Sequence, residues 1–345
     1  MKHMNKLFLL ILLTILFSGC WDSSINPTSY EVNTKWVLVA NTKTTQNLNS
    51  IAWNGSRFVA TTSNGTIIYS SDGQNWNIAN SGTTQPLWRV AWSGKGTEKK
   101  FIAVGASNGT AAATIYSYDG VTWQSGTNSF GDQGAEAGVA WSDTKAIYVT
   151  AGGAGKIAYS SDGKTWTNAT LPAGLATGVF RGVAWGKDKF VVVNYDGIMG
   201  YSYDGVNWQK LDFSTANPYP LYNNIILNIF WIEDKFIAIG EGNKIGVSSD
   251  GLNWSSKVVT PFLNSTEAIN GFAYGNNMYV AVGTKGKIAY SYDLDTWVAE
   301  PNSPFVKSSG WITQIIWAGD RFIATSFNNT SGGQMAFTTT EIVSK

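Results

Sequence analysis

The chain of 345 residues has one histidine, His3, and one cysteine, Cys20, and neither residue type occurs after position 20. Whatever folds downstream has no Ser-His-Asp or Cys-His nucleophile pair, no histidine acid or base, no zinc or haem ligation and no disulfide framework. Neither a metal nor a cofactor is expected. Charge is scarce too: Asp, Glu, Lys and Arg make up 14% of the residues, against about 25% in an average globular chain. The 24 basic and 23 acidic residues nearly cancel, and without Lys2 and Lys6 the balance is 22 to 23. No basic field exists to hold a nucleic acid. Present in excess are 37 Gly, 16 Trp, 16 Phe and 15 Tyr. Such a composition disfavours disorder, coiled coils and helical bundles.

The apolar run Leu7–Phe17 is broken only by Thr14 and is shorter than the about 20 residues a spanning helix needs. With Lys2 and Lys6 before it, the segment 1–19 reads as a secretory signal peptide. It ends Leu16-Phe17-Ser18-Gly19-Cys20, which resembles the bacterial lipoprotein lipobox, with Phe17 where that box usually has Leu. The resemblance implies that Cys20 is lipidated and becomes the mature N-terminus. Trp21 stands where an Asp would resemble the inner-membrane retention signal, so an outer-membrane or cell-surface position is expected. Residues 20–33, rich in Ser, Asn and Thr, read as the lipidated cysteine and a tether.

The remainder repeats, and the repeat decides the fold. One anchor is an aromatic closing a β-rich run: Trp53, Trp92, Trp141, Trp185, Trp231, Tyr274 and Trp317, spaced 39, 49, 44, 46, 43 and 43 residues. The other is Ser-x-Asp-Gly-x-x-Trp, at Ser70–Trp76, Ser117–Trp123, Ser160–Trp166, Ser202–Trp208 and Ser248–Trp254, and with Leu294 for Gly at Ser291–Trp297. Between them, apolar residues alternate at period two in short runs bounded by turn pairs. Each repeat therefore predicts four short antiparallel strands, the unit of a β-propeller blade. The seventh repeat, from Trp317, runs out after its third strand, while Lys35-Trp36-Val-Leu-Val precedes the first anchor at the spacing of a fourth strand. The expectation is an all-β, seven-bladed β-propeller over 34–345, with the N-terminal strand completing the last blade.

Ser-x-Asp-Gly-x-x-Trp resembles a shortened form of the Asp-box of the bacterial neuraminidase repeat. The whole repeat is similar to the sialidase-like superfamily that includes photosystem II assembly factors and many bacterial surface lipoproteins. The resemblance implies a structural role for Asp72, Asp119, Asp162, Asp204, Asp250 and Asp293, each capping a turn by accepting backbone N–H bonds. It does not imply sialidase chemistry. That activity uses three arginines on a carboxylate, and of the four arginines here Arg57 and Arg321 occupy a repeated turn position, leaving only Arg89 and Arg181.

By fold analogy a propeller binds ligands where each blade's last strand joins the next blade's first, around the channel. In this chain those connectors drift in length and composition while the strands repeat. Three or four residues before each anchor stand Asn49, Arg89, Arg181, Asn228, Asn270 and Gln314, with Trp88 and Phe180 beside the arginines. Aromatic platforms next to bidentate donors suit sugar rings, uronic acids or the aromatic and acidic anchors of a protein. The expected function is a lipid-anchored, non-catalytic binding module at the bacterial envelope, with a protein partner favoured over a glycan. The alternative is a carbohydrate-active enzyme working with carboxylates alone, such as Glu136 and Glu267.

Overall fold

A computed structural model describes residues 30–109, 112–127, 130, 134–213, 220–221, 225–263, 266–305, 310–328 and 332–344. The signal peptide 1–19, Cys20 and the tether as far as residue 29 lie outside the described residues. The N-terminal strand, Tyr30–Leu38, begins inside the stretch assigned to the tether.

The chain forms seven four-stranded antiparallel sheets. Blade 1 shows the pattern: Leu48–Trp53, Phe58–Thr62, Ile67–Ser70 and Asn77–Ala79 lie side by side in chain order. The seventh sheet takes its outer strand from the other end of the chain, in the order Tyr30–Leu38, Met335–Ser344, Phe322–Asn328, Gly310–Trp317. This is a seven-bladed β-propeller. Its main body is Trp36–Thr339, and a second unit comprises residues 1–35 and 340–345.

The first strand of every blade touches the first strands of its neighbours, so these seven line the centre and the ring closes between Gly310–Trp317 and Leu48–Trp53. The core is not one mass but seven apolar clusters, each filled from two adjacent blades. Between blades 1 and 2, for example, Val59 and Ile67 meet Val90 and Phe101, all essentially inaccessible. Burial on both faces of a sheet explains why the middle strands are continuous apolar runs such as Phe190–Val193, with no polar alternation.

The Ser-x-Asp-Gly-x-x-Trp segments are the turns from third to fourth strand. In the first, Asp72 Oδ1 accepts N–H bonds from Gln74 and Asn75 at 2.8 Å, while Ser70 Oγ accepts those of Asp72 and Gly73. The indole of Trp76 then donates to the Gly73 carbonyl at 3.1 Å. Asp119, Asp162, Asp204, Asp250 and Asp293 make the same pair of backbone bonds. At Asp204 burial pushes the carboxyl up, but the bonds from Asn207, Val206 and Ser202 outweigh it and hold the pKa at about 2. The Gly is required twice over. Gly73, Gly120, Gly163, Gly205 and Gly251 all have φ between 68° and 78°, and a Cβ on Gly120 would stand 2.7 Å from Val59 of the preceding blade. Leu294 fills the same place at φ 68°, buried in the cluster between blades 5 and 6.

Candidate functional site

Strict pairing between the first and second strands fails once in every blade, at one place. The register shifts between Leu48 and Ser50, Leu87 and Arg89, Phe180 and Gly182, Ile226 and Asn228, Ile269 and Gly271, and Ile312 and Gln314. Blade 3 shows a longer irregularity, from Ala135 to Val139. The extra residues are Asn49, Trp88, Arg181, Leu227, Asn270 and Thr313, each four positions before the anchor aromatic. A bulged residue leaves the alternation of the strand and is re-aimed. All six line one cavity of about 220 Å³ at the start of the inner strands, together with Arg89, Trp311 and Phe327.

Five of the eight residues singled out in the sequence, Asn49, Trp88, Arg89, Arg181 and Asn270, therefore meet at one site. The other three do not line it. Phe180 is fully buried in the cluster between blades 3 and 4. Being next to Arg181 in sequence puts it on the opposite side of the strand, so it is no platform for a ligand. Asn228 and Gln314 stand one place after the bulge and bond to backbone or side chains of the inner strands. Gln314 Oε1 accepts bonds from Ser50 Oγ at 2.6 Å and from the Ile51 N–H at 3.0 Å, joining blade 7 to blade 1. Asn228 Oδ1 accepts the Ile229 N–H at 2.9 Å and sits where a Cβ on Gly182 would be. Leu227, Thr313 and Phe327 were missed. The signal for the bulges was legible: apolar residues three apart, as in Leu48/Ile51, Ile226/Ile229 and Ile312/Ile315, break a period of two.

The six bulged residues divide by what they do. Asn49 donates to the Leu87 carbonyl at 3.0 Å, Asn270 to that of Ile312 at 3.2 Å, and Thr313 to that of Leu48 at 2.8 Å. In each case the acceptor is the residue before the bulge of the next blade. These three stitch the ring. Trp88 and Leu227 make no such stitch among the described bonds. The Arg181 guanidinium lies over the half-exposed Tyr195 ring, 5.3 Å from its centroid. Arg89 runs beside Gly138, where a Cβ would sit 3.5 Å from its own, and its Nη1 donates to the Trp88 carbonyl at 3.2 Å. Trp311 stacks on Phe327 at 4.4 Å with planes 6° apart, and is 36% exposed.

The cavity thus carries two guanidiniums and three large aromatic rings, and no Asp or Glu is among the described residues that line it. Such a mouth holds anionic groups flanked by apolar ones. Glu267, a candidate acid, lies elsewhere and is spent. Its buried carboxylate is paired with Lys287 at 2.7 Å and Lys285 at 3.4 Å and accepts the Leu263 N–H. Burial raises its pKa, but these partners outweigh it and keep it ionised below the ordinary range. That is the reverse of what a general acid needs. The side chain of Glu136 lies outside the described residues.

No protein-family model matches the chain, and no curated protein matches it. Solved structures do. "YCF48 bound to D1 peptide" is 17% identical with a TM-score of 0.62, covering 89% of this chain and 97% of that one. "YCF48 from Cyanidioschyzon merolae" is 15% identical with a TM-score of 0.61, covering 88% and 98%. The WD40 repeats of RRP9 superpose with a TM-score of 0.68 at 8% identity, covering 90% of this chain and all of that one. At these identities the likeness is one of fold.

Proposed function

We propose that this protein is a non-catalytic binding module that takes a protein partner at the mouth of its channel. One observation carries the reading: the bulges of six blades bring Trp88, Arg181 and Leu227 into one cavity with Arg89 and Trp311. Three of the six bulged side chains hold the ring together, and the cavity they share also presents aromatic and cationic groups. The anchors that fit are carboxylates beside aromatic or aliphatic side chains, and arginine with tryptophan is the pairing that dominates protein interfaces. YCF48, a propeller of the same fold, has been solved with a peptide bound, which supports a peptide as the ligand class. A carboxylate-only glycosidase draws no support from Glu267, whose carboxylate is buried against Lys287 and Lys285 away from this cavity.

The proposal includes its location. A lipid on Cys20 tethers the propeller to the bacterial envelope, outward-facing or at the outer membrane. Its support is the leader sequence, and a Cys20→Ser variant tests it: metabolic palmitate label is expected on the parent and lost from the variant. Label on both, or on neither, removes the anchor.

For the mouth, a photo-crosslinking residue replaces Trp311 in the expressing cells. A discrete protein adduct is expected, and it should vanish in an Arg89→Ala/Arg181→Ala background. Adducts that are the same in both backgrounds would sink the reading.

A further inference from the structure

Seven connectors lead from the outer strand of one blade to the inner strand of the next, and five of them bury a large apolar side chain between the two blades. These are Phe130, Leu175, Leu221, Phe262 and Phe305, none more than 6% exposed. The third strand of the receiving blade makes room. Two residues before its closing Ser or Thr it carries Ala158, Gly200, Gly246, Ala289 or Ala336. Leu175 lies where a Cβ on Gly200 would be, 2.7 Å away.

The connectors into blades 1 and 2 are different. Residues 40–47 and 80–86 bury no apolar side chain, and the third strands there carry Ile68 and Ile115 instead. The isoleucine takes the volume that the connector's plug fills elsewhere, so the connector is released from packing. Between blades 1 and 2 the released segment walls a trough made of two adjoining cavities of about 420 and 500 Å³, which share Thr83, Gln85 and Asn108.

The chemistry of this trough is uniform. Its walls are hydroxyls and amides, from Thr83, Thr84, Gln85, Asn108, Ser125 and Thr127, over a floor of Ala113 and Ile115, and none of the described residues lining it is charged or aromatic. The side chains of Thr84, Gln85, Ser125 and Thr127 engage no protein partner among the described bonds. The wall is also pre-ordered. Asn80 Oδ1 accepts the Gly82 N–H, Ser81 Oγ donates to the Thr83 carbonyl, and Thr83 Oγ1 accepts the Gln85 N–H.

We propose that this trough is a binding site for a neutral oligosaccharide, separate from the channel mouth. Hydroxyls and amides that both donate and accept match the vicinal hydroxyls of a sugar, and the small apolar floor matches the C–H face of a ring. A peptide knob is disfavoured because Ile115, only 3% exposed, already occupies the depth that Phe or Leu fills at the other interfaces. With no charge and no stacking ring, affinity is weak and insensitive to salt.

The test is calorimetric titration of the full chain with neutral tetraoses of glucose, mannose, galactose and N-acetylglucosamine. At least one should bind, and a Gln85→Ala/Thr127→Ala variant should bind it tenfold or more weakly. Thr84→Trp, which occludes the trough without removing a protein hydrogen bond, should abolish it, with the thermal midpoint checking that each variant folds. Arg89→Ala/Arg181→Ala should leave it unchanged. Failure of all four sugars to bind the folded parent overturns the site. So does a loss of binding that follows the arginines, while adduct formation at Trp311 bears on the mouth alone.

Discussion

The two ends of each blade obey opposite rules. At the Asp-containing turns both the geometry and the residues repeat: the same Ser and Asp, with Gly at five turns and Leu294 at the sixth, make the same backbone bonds, and the Trp indole closes every turn but the third, where Trp166 Nε1 finds no acceptor among the described residues. At the channel mouth the geometry repeats, a bulge four residues before each anchor, but its occupants are Asn, Trp, Arg, Leu, Asn and Thr. A turn that packs against the preceding blade has one solution, because a positive φ and a close neighbour admit little else. A bulge that points into a cavity constrains the backbone and leaves the side chain to other demands. Repetition in sequence therefore marks the turns, while at the repeated bulges the side chains diverge, three of them bonding to the next blade.

The comparison is broken most forcefully at the turns. Gly120→Val places a β-branched residue at φ 75°, with its Cβ 2.7 Å from Val59, and should cost about 3 kcal/mol or more. A thermal melt reads this as a drop of several degrees, and an unchanged midpoint would mean the turn is not fixed by its neighbour. Asp204→Ala removes the acceptor of two backbone N–H bonds and should cost about 1–2 kcal/mol, with binding at the mouth intact.

The same carboxylates set an acid limit. Asp204 and Asp250 hold folded pKa values of about 2, because hydrogen bonds overcome burial. Their unfolded value is higher, about 3.9. A depressed folded pKa stabilises above the unfolded value, and that stability fades as pH falls through about 2. The urea midpoint should therefore decline between about pH 4 and pH 2, less steeply in an Asp204→Asn variant. A midpoint with no slope in that window would contradict the assignment.

Smaller effects sharpen the division within the mouth. Thr313→Val keeps the shape but deprives the Leu48 carbonyl of its partner, and should cost about 1 kcal/mol. Trp88→Ala, at the same register, should change stability by no more than about 0.5 kcal/mol while weakening capture of a partner. If the two variants destabilise equally, stitching and binding residues are not separate classes.

Much of this was legible before any coordinate. The spacing of seven aromatics fixed the number of blades, and the run-out after Met335 with an orphan strand at Trp36 fixed how the ring closes. The arginines at the mouth were legible by elimination, since Arg57 and Arg321 sit at repeated turns. Register at the mouth was harder. Counting three or four residues back from the anchor mixed bulged residues with the bridging ones after them, which is why Asn228 and Gln314 were grouped with Asn49. Phe180 failed because it stands before the bulge, still paired with Asn194, and packs into the cluster between blades 3 and 4.

Sequence alone determined what is periodic, namely strand number, blade number, closure and the identity of the turns, because local hydrogen bonding and alternation act within a few residues. Tertiary structure alone decided which side chains share a space: that Asn49 and Thr313 bond to the next blade, that Trp88 and Arg181 meet in one cavity, and that Ile115 stands in for a missing plug. Those outcomes depend on volume and distance between blades some 40 residues apart, and no local pattern records them.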